Sequence, residues 1–200
     1  MSSETPTSTL IDLAAERGVS WPLTTERLTL TPFTTQDAPA VWEFLRLEEV
    51  NTWTASSFSG PDDVAARWVT DGAHLVVRRG ETVIGSCMVQ VQDAWSHAEV
   101  TEQARQTQAE LGWTFHPDHH GQGYATEAVR ALLQLSFTEL GLRRIEAQCF
   151  ADNTPSWRLM ERVGLRREGV FVKESLHRTH GWIDGMSYAL LAEEYAARQD

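Results

Sequence analysis

No apolar run in this 200-residue chain approaches the ~18–20 residues of a membrane span. Its start also lacks a basic stretch followed by an apolar core. The chain is therefore expected in the cytoplasm, free of membrane. Cysteine is scarce: Cys87 and Cys149 are the only two, each in a strand-like stretch with apolar neighbours. That excludes a disulfide framework and predicts reduced, buried thiols. Positive charge is short as well, with 17 Lys and Arg against 28 Asp and Glu and a net charge of −11. Such a balance argues against a nucleic-acid partner and weakly favours a cationic substrate. There are no repeats and no low-complexity tracts. Two familiar phosphate-binding signatures are missing too. Nothing reads GxxxxGK followed by Ser or Thr, and Thr126 stands where a GxGxxG fingerprint needs its third glycine.

What is there centres on residues 110–133. Glu110 to Phe115 alternates, with Leu111, Trp113 and Phe115 on one face, and predicts a strand. His116-Pro117-Asp118 ends it. After Gly121 and Gly123, Ala125, Ala128, Val129, Leu132, Ser136 and Leu140 recur at helical spacing. The order is strand, glycine turn, helix. The first turn of a helix carries unpaired N–H groups and the positive end of its dipole, so it attracts anions. Glycines beforehand remove the Cβ atoms that would hold a phosphate away. Each such interaction contributes only roughly 0.3–1 kcal/mol, so binding needs several N–H donors together.

The length suits one domain. Residues 1–20 form an N-terminal extension with a short helix at 10–15, and residues 21–200 form the domain. The pattern predicts a first strand from Glu26 to Pro32, a helix over 36–47, and a second helix from Pro61. Strands His74–Arg79 and Thr82–Val91 read as a hairpin around Gly80-Glu81. Residues 92–108 are polar and fit a long loop, a strand extension or a helical insertion. Beyond Gly141, a strand at 144–151 precedes a helix capped by Thr154 with Pro155 at its first position. Strands near 167–176 and 183–191 and a polar tail complete the chain.

Gly121-Gln122-Gly123-Tyr124-Ala125 resembles the coenzyme A pyrophosphate loop of the GNAT acetyltransferase superfamily, and residues 116–133 are similar in wording to its RimJ/RimL-type branch. A second stretch, Asn153-Thr154-Pro155-Ser156 followed by Met160 to Gly169, resembles that branch's NxxS…GFxxEG segment. The opening Arg27-Leu28-Thr29-Leu30-Thr31-Pro32 is similar to RLxLRP, with Thr31 replacing arginine. The resemblance implies an α/β (α+β) fold: a mixed, mostly antiparallel sheet with a V-shaped split, flanked by about four helices. It implies acetyl-CoA as co-substrate, no metal, and a primary amine as acceptor, with room for a homodimer.

The resemblance assigns pyrophosphate binding to main-chain groups of His120, Gly121, Gln122, Gly123, Tyr124, Ala125 and Thr126. A backbone N–H near Thr114–Phe115, where the strand splays, would polarise the thioester carbonyl. Asn153 would contact the pantetheine arm; an Asx turn opening the next helix is the plainer reading. Glu110 occupies the place of the family's strand carboxylate, a base acting through water, though an outward carboxylate paired with a neighbour fits equally. Met160 stands where many members carry the tyrosine that protonates the departing thiolate, so Ser156 is the substitute, or simply a serine at a helix start. Asp118, where many members carry Gln or Arg, makes a side-chain phosphate contact there doubtful. The adjacent His119 and His120 point apart and lack partners for a metal.

The acceptor's own pKa decides how much help it needs. A lysine-like amine near 10.4 costs roughly 4.6 kcal/mol to deprotonate at pH 7, an α-amine near 8 roughly 1.4 kcal/mol. The resemblance leaves open a protein N-terminal α-amine, an amino acid or a small-molecule amine. A non-catalytic acyl-CoA-binding sensor or interaction module is the alternative; it would keep Gly121, Gly123 and Asn153 and be indifferent to Glu110 and Ser156.

Overall fold

The computed structural model describes residues 9–198. They build an eight-stranded sheet in the order β1-β2-β3-β4-β5-β6-β8-β7, antiparallel everywhere except between β5 and β6. Among the described residues, four helices of eight or more residues and four shorter ones flank it.

Helix α1 (Leu10–Glu16) is capped reciprocally by Thr9 and Asp12. It buries Leu10, Leu13 and Ala14 in the main core. Strands β1 (Leu23–Thr24) and β2 (Thr29–Pro32) pair as a small hairpin. The predicted start at Glu26 is three residues early, because Thr25 N–H donates to the Leu28 carbonyl at 2.9 Å and turns the chain there. Helices α2 (Ala38–Leu45), α3 (Glu48–Asn51) and α4 (Pro61–Asp71) follow. Val41, Phe44, Val64 and Trp68 from α2 and α4 pack with Val76 in a second apolar cluster.

Strands β3 (His74–Arg79) and β4 (Thr82–Gln92) form the expected hairpin. The ambiguous 92–108 segment is a loop carrying the four-residue helix α5 (Thr101–Ala104), closed by the Ala94 N–H on the Ala104 carbonyl at 2.8 Å. Strand β5 (Gln108–Phe115) then leads into helix α6 (Tyr124–Gln134), whose last part widens to a π turn over Leu135–Glu139. Strand β6 (Arg144–Phe150) is followed by helix α7 (Thr154–Val163). Asn153, not Thr154, caps α7, and Pro155 sits at its second position: Asn153 Oδ1 accepts from the Ser156 N–H at 3.3 Å. Strands β7 (Arg166–His177) and β8 (Gly181–Leu191) form a long hairpin. The polar tail holds one more short helix, α8 (Ala192–Ala196).

The feature that matters is the brevity of the β5–β6 contact. Only Gln108, Ala109 and Glu110 pair with Arg144, Ile145 and Glu146. Beyond Glu110, β5 stays with β4 as far as Phe115↔Gly85. Strand β6 instead follows β8 as far as Phe150↔Gly185. The two halves of the sheet diverge from Glu110 onward and leave a V-shaped opening.

Candidate active site

A cleft of about 2380 Å³ runs through that opening. This exceeds the ~300–1,000 Å³ typical of one small ligand and suits two substrates meeting. Its lining joins β5 from Leu111 to Phe115, the glycine turn, the start of α7 and the loop after α3. Of the residues assigned to the coenzyme, Phe115, His120, Gly121, Gly123, Tyr124, Ala125, Thr126, Asn153 and Ser156 all line this one cleft. Gln122 does not; its side-chain amide turns back to the Asp118 carbonyl at 3.2 Å.

The turn carries a run of free donors. Gly121 and Gly123 adopt φ of 71° and 80°, the left-handed region where a Cβ is strained. The N–H groups from Gly121 through Thr126 donate to no protein acceptor among the described residues. His120 ties the turn to the strand by donating from Nε2 to the Phe115 carbonyl at 3.0 Å. The Tyr124 side chain is buried, 4.6 Å below the Arg27 guanidinium and 5.5 Å from that of Arg79. Thr126 is buried and accepts from Arg162 on α7 at 3.2 Å, so its hydroxyl joins two helices. Arg130, Arg162 and Arg198 also line the cleft.

Arg27 heads the RLxLRP-like opening, but that motif did not reveal what it contacts. It donates to the Gln122 carbonyl at 3.0 Å and from Nε to Glu127 at 2.7 Å, while Thr25 donates to the other Glu127 oxygen at 2.5 Å. Burial alone would raise the Glu127 pKa, but these donors more than offset it and hold the carboxyl below its usual value. The loop is thereby braced by a segment about a hundred residues earlier. A lone arginine and a lone helical glutamate offer no spacing signal by which to pair them.

Glu110 lies at the apex, half-buried, between Gln90 on β4 and Glu146 on β6. It is not among the residues lining the cleft, which begin at Leu111. Burial, and then the Glu146 carboxylate, push its pKa above the ordinary carboxylate value. Arg144 contacts Glu146 at 3.5 Å and Glu168 at 2.6 Å, so Glu146 has a counter-ion where Glu110 has none among the described ion pairs. Past Glu110, the β6-facing backbone of β5 has no strand partner.

At the α7 side, Ser156 adjoins the thiol of Cys149, which is half-buried rather than buried as expected. Burial pushes the Cys149 pKa up to about 11, against a lowering by the Ser156 hydroxyl. Buried Cys87 is pushed up to about 12. Both are free thiols and stay protonated near neutrality. Met160 is buried in the core. The nearby tyrosine, Tyr188, is also fully buried, and its hydroxyl donates to Glu161 at 3.1 Å.

A sequence model of the acetyltransferase (GNAT) domain matches residues 27–166, from Arg27 through the glycine turn and α7. The chain belongs to the GNAT acetyltransferase family. The Bacillus subtilis protein YnaD, known as an uncharacterized N-acetyltransferase, is 31% identical over 179 residues, spanning 86% of this chain and 98% of its own. A GNAT-family acetyltransferase structure from Bacillus anthracis superposes with a TM-score of 0.73 at 30% identity, covering 87% of this chain and all of that one. The ribosomal-protein-S5-alanine acetyltransferase of Vibrio fischeri shares the fold, with a TM-score of 0.72 at 15% identity over 88% of this chain and 99% of its own. The GNAT chain described here is thus an acyltransferase, with the mixed, split sheet of its family. Among the described residues, no helix is long and apolar enough to cross a membrane.

Proposed function

We propose that this GNAT protein is a RimJ/RimL-type N-acetyltransferase that moves the acetyl group of acetyl-CoA directly to a primary amine in a ternary complex, in the cytoplasm. The observation that carries the reading is the run of unpartnered N–H groups from Gly121 through Thr126, facing a cleft where two strands part. A pyrophosphate bound there accepts from the turn and the first turn of α6, with the helix dipole behind it. Asn153 and Ser156 lie on the same cleft, in reach of the arm that leads to the thioester. The proposed domain, residues 21–200, contains every one of these residues.

Chemically, the amine nitrogen attacks the thioester carbonyl, the C–S bond breaks, and the thiolate takes a proton. A β5 N–H left without a partner beyond Glu110 stabilises the oxyanion. Glu110, outside the cleft lining but with a raised pKa, accepts the amine's proton through water. The Ser156 hydroxyl passes a proton to the thiolate and regains one from water in the cleft, in place of the side chain that Met160 lacks. Cys149 holds its proton too tightly to carry an acetyl intermediate, which favours direct transfer.

The test is thiol release from acetyl-CoA by the purified protein with pooled amino acids, peptides of varied first residue, polyamines and aminoglycosides. Release above the amine-free rate with at least one pool is expected. No release with any pool, together with no rise in melting temperature on adding acetyl-CoA, would sink the proposal.

A further inference from the structure

Beside the cleft, a contact joins two segments that no sequence motif connects. His177, the last residue of β7, is only 3% exposed. Its Nδ1 accepts from the backbone N–H groups of Thr179 and His180, each at 3.2 Å, and from the Thr179 hydroxyl at 3.2 Å. Backbone N–H groups can only donate, so Nδ1 bears the lone pair and the ring proton sits on Nε2. That nitrogen lies 2.8 Å from the Thr52 carbonyl, 125 residues away in sequence, and donates to it.

Thr52 is the residue that ends α3, where a helix leaves its last carbonyls without partners. The next residue, Trp53, lines the cleft and packs its ring 5.8 Å from that of His177. Phe150, at the end of β6, meets the same imidazole at 5.3 Å, and His180 stacks on it at 4.3 Å. One buried ring therefore touches the end of α3, the end of β6 and its own turn. A second link, Arg178 to Glu48 at 2.7 Å, joins the same two segments, but both side chains are exposed and the pair is screened.

We propose that His177, fixed as the Nε2–H tautomer by its own turn, is a positioning residue that holds the Thr52 carbonyl and, next to it, the Trp53 wall of the cleft, and so sets how the amine acceptor binds. Only the kinetic part of this inference rests on the acyl-transfer reading. The wall itself does not depend on which amine is used.

The experiment compares the full-length wild type with His177→Asn and Arg178→Ala. The Asn carbonyl can still accept from the 179–180 turn, but its side chain is too short to reach Thr52. In His177→Asn, hydrogen exchange of amides 48–56 is expected to accelerate about tenfold, as fits loss of one buried hydrogen bond. Amides 117–126 should keep their wild-type rates, and acetyl-CoA affinity should stay within about twofold. With whichever pooled amine the wild type acetylates, the amine KM should rise about tenfold with kcat nearly unchanged. Arg178→Ala should leave all of these near wild type.

Unchanged exchange at 48–56, equal acceleration at 117–126, or loss of acetyl-CoA affinity would overturn the inference. If His177→Asn does not fold, nitrogen-15 NMR of the wild-type imidazole decides instead. A proton on Nε2 supports the clamp and a proton on Nδ1 overturns it. A wild type that acetylates no amine removes the acyl-transfer reading and leaves the clamp to be judged by exchange and NMR.

Discussion

Arg27 donates to the carbonyl of Gln122 at 3.0 Å, so the turn between β1 and β2 fixes the middle of a loop that begins nearly a hundred residues later. The same guanidinium covers the Tyr124 ring and pairs with Glu127. Arg27→Ala should therefore loosen the turn. Because Arg27 is 41% exposed, the loss is discounted for screening to about 1 kcal/mol, or roughly a fivefold weaker acetyl-CoA affinity. Titration calorimetry checks it, and Arg27→Lys should recover only part, since an ammonium cannot hold carbonyl, carboxylate and ring at once.

The two glycines of the turn separate backbone strain from crowding. Gly121→Ala meets open space and pays only for its φ of 71°. Gly123→Ala adds to its φ of 80° a Cβ only 3.4 Å from Arg27 Nη2. Each should weaken acetyl-CoA binding by about 5–30-fold, the equivalent of about 1–2 kcal/mol of left-handed strain. Gly123→Ala should be the worse of the two, and Arg27→Ala should partly relieve it in the double variant.

Glu127 gives the free protein an acid-sensitive brace. Its folded pKa lies below the ordinary value of 4.5, so its contribution is present above that value and lost as pH falls through the folded one. Glu127→Gln should lower the melting temperature near neutral pH by about 2–4 °C, the shift that 1 kcal/mol produces in a chain of this size. The deficit against wild type should shrink on acidification below pH 4.5, as the wild-type carboxylate takes up its own proton. Calorimetric scans at several pH values measure both.

For Glu110 the sign is opposite. Its pKa is raised, so the ionised, base-competent form appears only as pH climbs past a midpoint above 4.5. The acid limb of kcat/KM should follow that midpoint. Glu146→Gln removes the neighbouring charge but not the burial, so the limb should move to lower pH while staying above the ordinary value. Glu110→Gln should lower kcat/KM about 10²-fold, the lower end for a base, since water intervenes. An acid limb that stays put in Glu146→Gln would exclude coupling between the two carboxylates.

Cys149 should resist chemistry although it borders the cleft. With its pKa near 11, it carries only about 10⁻⁴ of its population as thiolate at pH 7. Iodoacetamide at neutral pH should leave both acetyl transfer and the mass of the protein unchanged over an hour-long incubation, and mass spectrometry reads this directly.

Much of the fold was legible because it is written in local pattern. The β3–β4 hairpin, the turn before α6 and the Pro61 helix start each depend on residues adjacent in sequence, where period and glycine placement suffice. The errors are local as well. Asn153 caps α7 in place of Thr154 because the helix starts one residue earlier, at Thr154, which puts the Ser156 N–H three residues past the cap, and the Thr25–Leu28 turn shortens the first strand. The glycines of the turn were also readable, since a left-handed backbone leaves a glycine signature. The contacts of Arg27, Glu127, Glu146 and His177 were not. Each acts through a partner that only the folded sheet brings near, and single charged or imidazole side chains carry no periodicity.

The three-residue seam between β5 and β6 has a further meaning. Past it, two strand edges face each other across a gap without pairing, as if a strand had been left out. A ligand bearing amide groups along its length would serve as that strand and finish the sheet from outside the chain. The protein is then expected to reach its full cooperativity only when loaded, so that in the cell its lifetime against proteolysis follows the supply of its own substrate.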